Sequence, residues 1–338
     1  MTIIRAGLRV LRRFWAELLA AVGLVSLIIA VDPPRLGHVF SQIQWSVALL
    51  MVPVALAIYA FHAIAWWFAL RSVGEHIRLR DTQLIELAGQ VMVFLPLGDL
   101  TRVAMVRSTD HDEGVGAITA TVALQELVYM FLMTLGALPQ IVQRPNVALL
   151  MLAMILGFAG VFVILLWEPA YRWALRVVET VPFFRRFDEQ LHEIRPAFLR
   201  VFRIRTLAPV LLFQAASALL TFLLFDLALD AIGVHVSYIA AVFVLGVSYT
   251  FAAITFLPLG IGAFEGLLTV IMLTYGIPAA AGAGAALLFR GYNDVLMALL
   301  GVPCFLHVRR QQRSGTWRQD GSGAAPDLLG SATASVRR

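Results

Sequence analysis

The sequence predicts an all-α, polytopic membrane protein. It reads as about six full transmembrane helices plus two Pro/Gly-broken re-entrant hairpins in an inverted-topology repeat. Three observations carry that prediction. Of 338 residues, 60% are hydrophobic and 14% charged, well above the roughly 45–50% apolar share of a soluble domain. Several apolar runs of about 18 residues or more hold few or no charges. The pentapeptide FLPLG occurs twice, at 94–98 and 256–260, each time inside apolar sequence.

The full crossings fall at about 14–31, 45–70, 115–137, 147–167, 207–230 and 279–306. The first follows four arginines, as a signal peptide would. Its apolar stretch is long for a cleaved segment, and no small-x-small site follows, so a retained helix is expected. Two further apolar regions, 84–107 and 239–276, are each interrupted by FLPLG. From Gln83 to Leu95 a helix would reach only about 20 Å, against a hydrocarbon core of about 30 Å. The first region therefore crosses once as a broken helix or returns as a hairpin.

Arginine placement decides between the two. All 26 basic residues are arginine. With 84–107 re-entrant, one side of the membrane receives 23 of them and the other only Arg35 and Arg144, while Arg290 stays within a helix. That is a strong positive-inside bias, whereas a single crossing would send the arginines of 168–206 outside. Charge does not distinguish a re-entrant 239–276 from one that crosses twice, and the hairpin is favoured by analogy. The expected location is the inner membrane, multi-pass, with cytoplasmic N- and C-termini. The net charge of +5 then reflects topology, and no nucleic-acid partner is expected.

The resulting organisation is a transmembrane unit over 1–308, with halves at about 45–137 and 207–306. Residues 168–206 mix arginine with Trp, Tyr and Phe and read as an interfacial amphipathic connector drawn to anionic lipid. Residues 309–338 read as a disordered cytoplasmic tail. The lone Cys304 excludes an intrachain disulfide.

The two halves echo each other beyond the pentapeptide. Offset by 162 the FLPLG copies coincide; offset by 165, Gln125 falls on Arg290, Tyr129 on Asp294 and Gly136 on Gly301. Proline removes an amide donor and glycine admits unusual backbone angles. In lipid, such irregular backbone persists only within protein or beside a water-filled cavity. Pro96 and Gly98 in one half, and Pro258, Gly260 and Gly262 in the other, therefore mark two helix starts inside the membrane. Helix N-termini there favour an anion, and inverted repeats place transporter sites near the midplane.

Charges near the breaks complete the candidate site. Asp99 and Arg102 lie one helical turn apart, and Glu265 lies in the first turn after the second break, where it either caps its own helix or binds a proton or cation. Glu126, Arg290 and Asp294 lie within crossings, where an ionisable side chain costs upwards of about 2.5–3.5 kcal/mol. A Glu126–Arg290 ion pair is expected, with Asp294 one turn beyond. His62 reads as a satisfied interior histidine and Trp66–Trp67 as an interfacial belt. No HExxH, Cys/His cluster, P-loop or G-x-S-x-G is present, so no cofactor, metal or catalytic site is expected.

The run LPLGDLTRVAMVRS resembles the P-x-x-x-G-[DE]-x-x-R-x-x-x-x-x-R stretch of the lysylphosphatidylglycerol synthetase transmembrane, or flippase-like, family. FLPLGIGAFEGLLTVIMLTYG resembles its P-x-G-x-G-x-x-E motif, and AALLFRGYNDVLMALLG its arginine-containing last helix. The resemblance covers roughly 10–306 and puts Asp99, Arg102, Glu265 and Arg290 on the family's recurrent polar positions. Two departures are plain: the spacing from Pro96 to Gly98 is short, and Gln125-Glu126-Leu127-Val128-Tyr129 stands where the family carries E-R-x-x-D. The resemblance implies movement of a lipid or lipid-linked headgroup between leaflets, by a stand-alone member without the synthetase domain.

The expected function is thus a flippase or transporter for a lipid-linked anionic headgroup. Its candidate partners are a membrane phospholipid or polyprenyl-linked lipid, cell-envelope biosynthetic proteins and further copies of the chain. The alternatives from other classes are an intramembrane lipid-headgroup transferase, a small-anion transporter and a non-transporting scaffold.

Overall fold

A computed structural model describes residues 25–26, 29, 32–93, 98, 101–107, 114–143, 145–180, 188–255 and 260–314. Among them there are helices and no strand. The predicted crossing at 14–31 lies almost wholly outside the described residues, as do residues 94–97 and 256–259 of the two pentapeptides.

The helices are α1 (Pro33–Ser41), α2 (Trp45–Ser72), α3 (Leu79–Gly89, extended by a 3-10 turn Gln90–Met92), α4 (Thr101–Arg107), α5 (Val115–Ala137), α6 (Pro145–Leu166) and α7 (Glu168–Glu179). There follow α8 (Asp188–Val201), α9 (Ile204–Ala231), α10 (Tyr238–Ile254), α11 (Ala263–Leu273), α12 (Ala279–Arg290), a π-helical turn Gly291–Leu296 and α13 (Met297–Ser314). Four helical stretches are long and apolar enough to cross a membrane: 45–72, 115–140, 204–231 and 279–313. The bent pair α6–α7, with a 99° angle at its break, makes a fifth. This is a multi-pass membrane protein. The helices flanking the second break, 238–253 and 263–273, are each shorter than a full span.

The predicted boundaries shift in two places. The 279–306 crossing continues as helix through Ser314, past the predicted start of the tail, and Gln312 donates to the Met105 carbonyl at 3.0 Å. The connector 168–206 contains two helices, α7 and α8. Along α7 Trp167, Trp173 and Val177 are exposed while Leu175 turns inward. The sharp bend at Trp167 sets this amphipathic face off from the α6 span.

Helices α2 and α9 form the centre, and they match. Each is 28 residues long, about 42 Å at 1.5 Å per residue. Each ends the same way: Gly74 (φ 98°) and Gly233 (φ 73°) adopt the left-handed conformation. The following amides of Glu75 and Val234 then reach back to the Leu70 and Leu229 carbonyls at 3.1 and 2.9 Å, closing the Schellman turn that glycine permits. The two helices run antiparallel. The Gln44 amide at the start of α2 donates to the Ala231 carbonyl at the end of α9 (2.8 Å), and Ser217 donates to the Ile58 carbonyl near mid-length (3.2 Å).

Close packing then locks the halves across each other. A Cβ on Gly301 of α13 would lie 2.2 Å from the Leu87 carbonyl oxygen of α3, and one on Gly246 of α10 would lie 2.5 Å from that of Met133 on α5. Glycine is thus required at both crossings, as small residues commonly are where helices approach in a bilayer. Helix α8 braces the start of α5: Glu193 accepts from the Gly116 amide at 2.9 Å, capping an otherwise unsatisfied helix start.

Candidate functional site

Two ion clusters lie inside the bundle. The first centres on Arg102 of α4, 0% exposed. Its side chain runs over Gly89, where any Cβ would stand 2.6 Å from the arginine Cγ, so the absent side chain leaves the passage. Nη1 donates to both Glu86 oxygens at 2.7 and 2.6 Å, and Nη2 donates to Glu126 Oε1 at 2.8 Å. Glu86 sits on the buried face of α3 with Thr82, Ile85 and Gly89. The Trp66 ring flanks the guanidinium at 5.4 Å. Trp66 itself is fully buried and donates to Thr121 Oγ1 at 3.0 Å, so it packs in the core and does not form the predicted interfacial belt.

The second cluster centres on Arg290 at the end of α12. It lies 2.8 Å from Glu265 of α11 and 2.8 Å from Asp294, with its guanidinium 4.5 Å from the Phe264 ring. Glu265 also accepts from the Gly262 amide at 2.6 Å, so it caps α11 and holds Arg290 at once. Gly260 (φ 61°) and Gly262 (φ 85°) supply the left-handed turn that makes this start possible. Asp294 sits in the π turn, a widened stretch often found at functional sites. There the Asn293 carbonyl accepts from the Tyr59 hydroxyl at 2.9 Å, and the Asn293 amide donates to Asp294 at 2.7 Å.

A seam of aromatic and polar groups joins the clusters. Gln125 Nε2 reaches His62 Nδ1 at 3.1 Å. The His62 ring lies 6.0 Å from Tyr59 and 4.7 Å from Tyr129, and Tyr129 lies 6.0 Å from Tyr249. Tyr249 in turn packs on Phe264 and Phe289 at 5.7 and 6.4 Å. Each cluster sets two carboxylates against one guanidinium, so each carries one surplus negative charge when all groups are ionised.

The clusters are alike with the signs exchanged. After the first break the short helix brings the cation Arg102, and the next crossing brings the anion Glu126. After the second break the short helix brings the anion Glu265, and the next crossing brings the cation Arg290.

The family described as Lysylphosphatidylglycerol synthase TM region matches residues 14–301. The chain belongs to that family. No match is found among curated proteins. The lysylphosphatidylglycerol synthase TM match spans both ion clusters and the seam, and it agrees with the resemblance read from the three motifs.

Of the residues predicted for this family member, Arg102 and Glu126 fall in one cluster and Glu265, Arg290 and Asp294 in the other, with Gly260 and Gly262 at the turn between break and α11. Gly98 lies just before α4, where Thr101 donates to its carbonyl at 2.7 Å. Pro96, Asp99 and Pro258 lie outside the described residues. The pairing is corrected in one respect. Glu126 engages Arg102, not Arg290, and Arg290 is held by Glu265 and Asp294, because each arginine takes its partners from its own half. Sequence reasoning missed Glu86 and gave His62 no role. The signal for Glu86 was its place on the same helical face as Thr82, Ile85 and Gly89, a carboxylate on the side that must be buried.

Proposed function

We propose that this protein moves a lipid between leaflets, its headgroup passing along the seam between the two ion clusters while the chains stay in the bilayer. Membership of the family supports a membrane role tied to lipid. One observation carries the step to transport: two largely buried arginine–dicarboxylate clusters stand beside the two breaks and are joined by a seam of aromatic and polar groups. Charged groups at such depth are costly and mark substrate paths. The antiparallel, equal-length α2 and α9 with matching Schellman turns support an inverted repeat, in which such a site serves both sides of the membrane.

In this mechanism a headgroup phosphate takes the place of one carboxylate on Arg102 or Arg290. The displaced carboxylate turns to a proton or to an ammonium on the same headgroup, and the guanidinium is never left alone. The arginine bias supports termini in the cytoplasm, and the exposed Trp167 and Trp173 support an α7 lying in the headgroup layer on that side. Partners from cell-envelope synthesis and self-association belong to the same proposal.

The test is movement of fluorescent headgroup-labelled phospholipid in proteoliposomes, read by dithionite quenching. Glu265→Gln and Arg290→Gln, each shown to be folded and inserted, should slow exchange at least tenfold. Wild-type rates in both would sink the proposal. A covalently altered lipid in the product would favour the transferase alternative instead, and counterflow of free phosphate without lipid would favour a small-anion transporter.

A further inference from the structure

The π turn after α12 holds a polar group that the ion cluster beside it does not use. Asn293 is 3% exposed. Its Nδ2 donates to Asp294 Oδ1 at 2.7 Å and lies 3.5 Å from the Tyr249 hydroxyl. A carboxylate only accepts, so this contact fixes which end of the amide is nitrogen and which is oxygen. The oxygen, Oδ1, is buried and has no hydrogen-bond partner among the described residues. An amide oxygen left in that state costs stability, and native proteins keep few of them.

The surroundings narrow what that oxygen is for. The Asn293 main-chain carbonyl accepts from the Tyr59 hydroxyl of α2 at 2.9 Å, and its side-chain nitrogen faces Tyr249 of α10. Both tyrosines belong to the aromatic seam. The backbone over Gly291–Leu296 is π-helical, a widening that recurs at functional sites. The charged oxygens nearby are engaged. Asp294 Oδ2 accepts from Arg290 at 2.8 Å, and Glu265 faces the Gly262 amide through one oxygen and Arg290 through the other. An ammonium on a ligand would turn to these carboxylates, because charge-assisted bonds are the stronger. A neutral oxygen suits a neutral donor, and aromatic walls with one placed polar atom are the ordinary make-up of a small-molecule site.

We propose that Asn293 reads a hydroxyl on the headgroup, so that the lipid carried is a phosphate ester of a polyol or sugar. The inference rests on the reading that the headgroup passes along the seam and that Arg290 meets its phosphate. Asn293 follows Arg290 by three residues, one turn on, where side chains start about 5–6 Å apart in a regular helix. A phosphate on Arg290 therefore leaves a hydroxyl on the second or third carbon of its alcohol within reach of Oδ1. A headgroup of the same size and charge without hydroxyls leaves that oxygen unpaired, and a site built this way rejects it. The hydroxyl is common to glycerophospholipids and to sugars on a prenyl phosphate.

The experiment uses the full chain in phosphatidylcholine nanodiscs, read by native mass spectrometry. Short-chain phosphatidylglycerol is titrated against short-chain phosphatidylpropanol, which has the same charge and carbon skeleton but no headgroup hydroxyl. The wild-type chain should bind phosphatidylglycerol about tenfold or more tightly. Asn293→Leu should bring the ratio to about one by weakening phosphatidylglycerol alone. Asn293→Ser, too short to reach the hydroxyl, should do the same and serves if the leucine variant does not insert. Equal affinities in the wild-type chain overturn the proposal without any variant. So does a ratio that survives in Asn293→Leu but vanishes in Gln214→Leu, since Gln214 Oε1 on α9 is also buried and without a hydrogen-bond partner. Given the wild-type preference, a short prenyl-phosphate hexose that displaces phosphatidylglycerol supports a sugar as the source of the hydroxyl. One that fails to displace it supports a glycerophospholipid. Hydroxyl preference in binding without any lipid crossing would keep this inference and refute transport. Crossing of phosphatidylglycerol and phosphatidylpropanol with equal affinities and rates would do the reverse.

Discussion

Arg102 offers the sharpest test of what holds the first half together. It is 0% exposed and Glu86 1%, with contacts of 2.6 and 2.7 Å. Charge centres about 4 Å apart at an effective dielectric near 20 attract by about 4 kcal/mol before desolvation. Removing one member of such a buried pair costs about 3–5 kcal/mol, because the other is left charged and unsolvated. The Glu126 side chain is 33% exposed, so its share is screened to about 1 kcal/mol or less. Arg102→Met should therefore lower unfolding free energy by about 3–5 kcal/mol. Arg102→Met with Glu86→Gln should recover at least half of that, since the stranded charge is gone. The assay is reversible unfolding in mixed micelles, analysed as double-mutant cycles. The Arg102/Glu86 coupling should be near 3 kcal/mol and clearly exceed the Arg102/Glu126 coupling. Additive single effects, or the opposite ranking, would refute the argument.

Further expectations follow from particular contacts. Gly301→Ala and Gly246→Ala should each destabilise by about 1–3 kcal/mol, since the new Cβ meets backbone oxygen at 2.2 and 2.5 Å. Gly157→Ala, with open space around it, should be neutral or slightly stabilising in the same melting assay. Gly262→Ala forces an L-residue to φ 85° and should cost about 1–3 kcal/mol; lipid exchange should fall with it as Glu265 loses its place. Trp173, 59% exposed on α7, should be quenched by brominated lipid, more strongly in vesicles containing anionic lipid; equal fluorescence in lipid and in buffer would remove α7 from the interface.

The crossings were legible because apolar length is a one-dimensional property. Five of the stretches named from the sequence recur as long apolar helices, the α6–α7 pair only if counted with its bend. The ionisable residues were legible too, since Arg102, Glu126, Glu265, Arg290 and Asp294 stand out against apolar neighbours. Which charge meets which was not legible. The Glu126–Arg290 pair was expected because both charges lie within crossings and buried charges pair; yet a shared depth in the bundle is not contact. Glu86 was hidden for a different reason. The stretch LRDTQLIELAG is polar enough to pass for a membrane edge, and its carboxylate is buried only because Arg102 of α4 reaches it there. His62 was read correctly as interior, but its distance to Glu86 depends on three helices at once.

The contact of Gly301 with Leu87 also says something about how the chain is made. α3 is clamped by a helix that leaves the ribosome more than two hundred residues later. At about 5–20 residues per second that is a delay of roughly ten to forty seconds. The Arg102 cluster can close within the first half during this time, because Glu86, Arg102 and Glu126 are near neighbours in sequence. The face of α3 that receives α13 stays open until the end, needing the insertion machinery or surrounding lipid to cover it. Early assembly of the ion cluster thus serves as a provisional fastening for α3 and α4, whose permanent one arrives last.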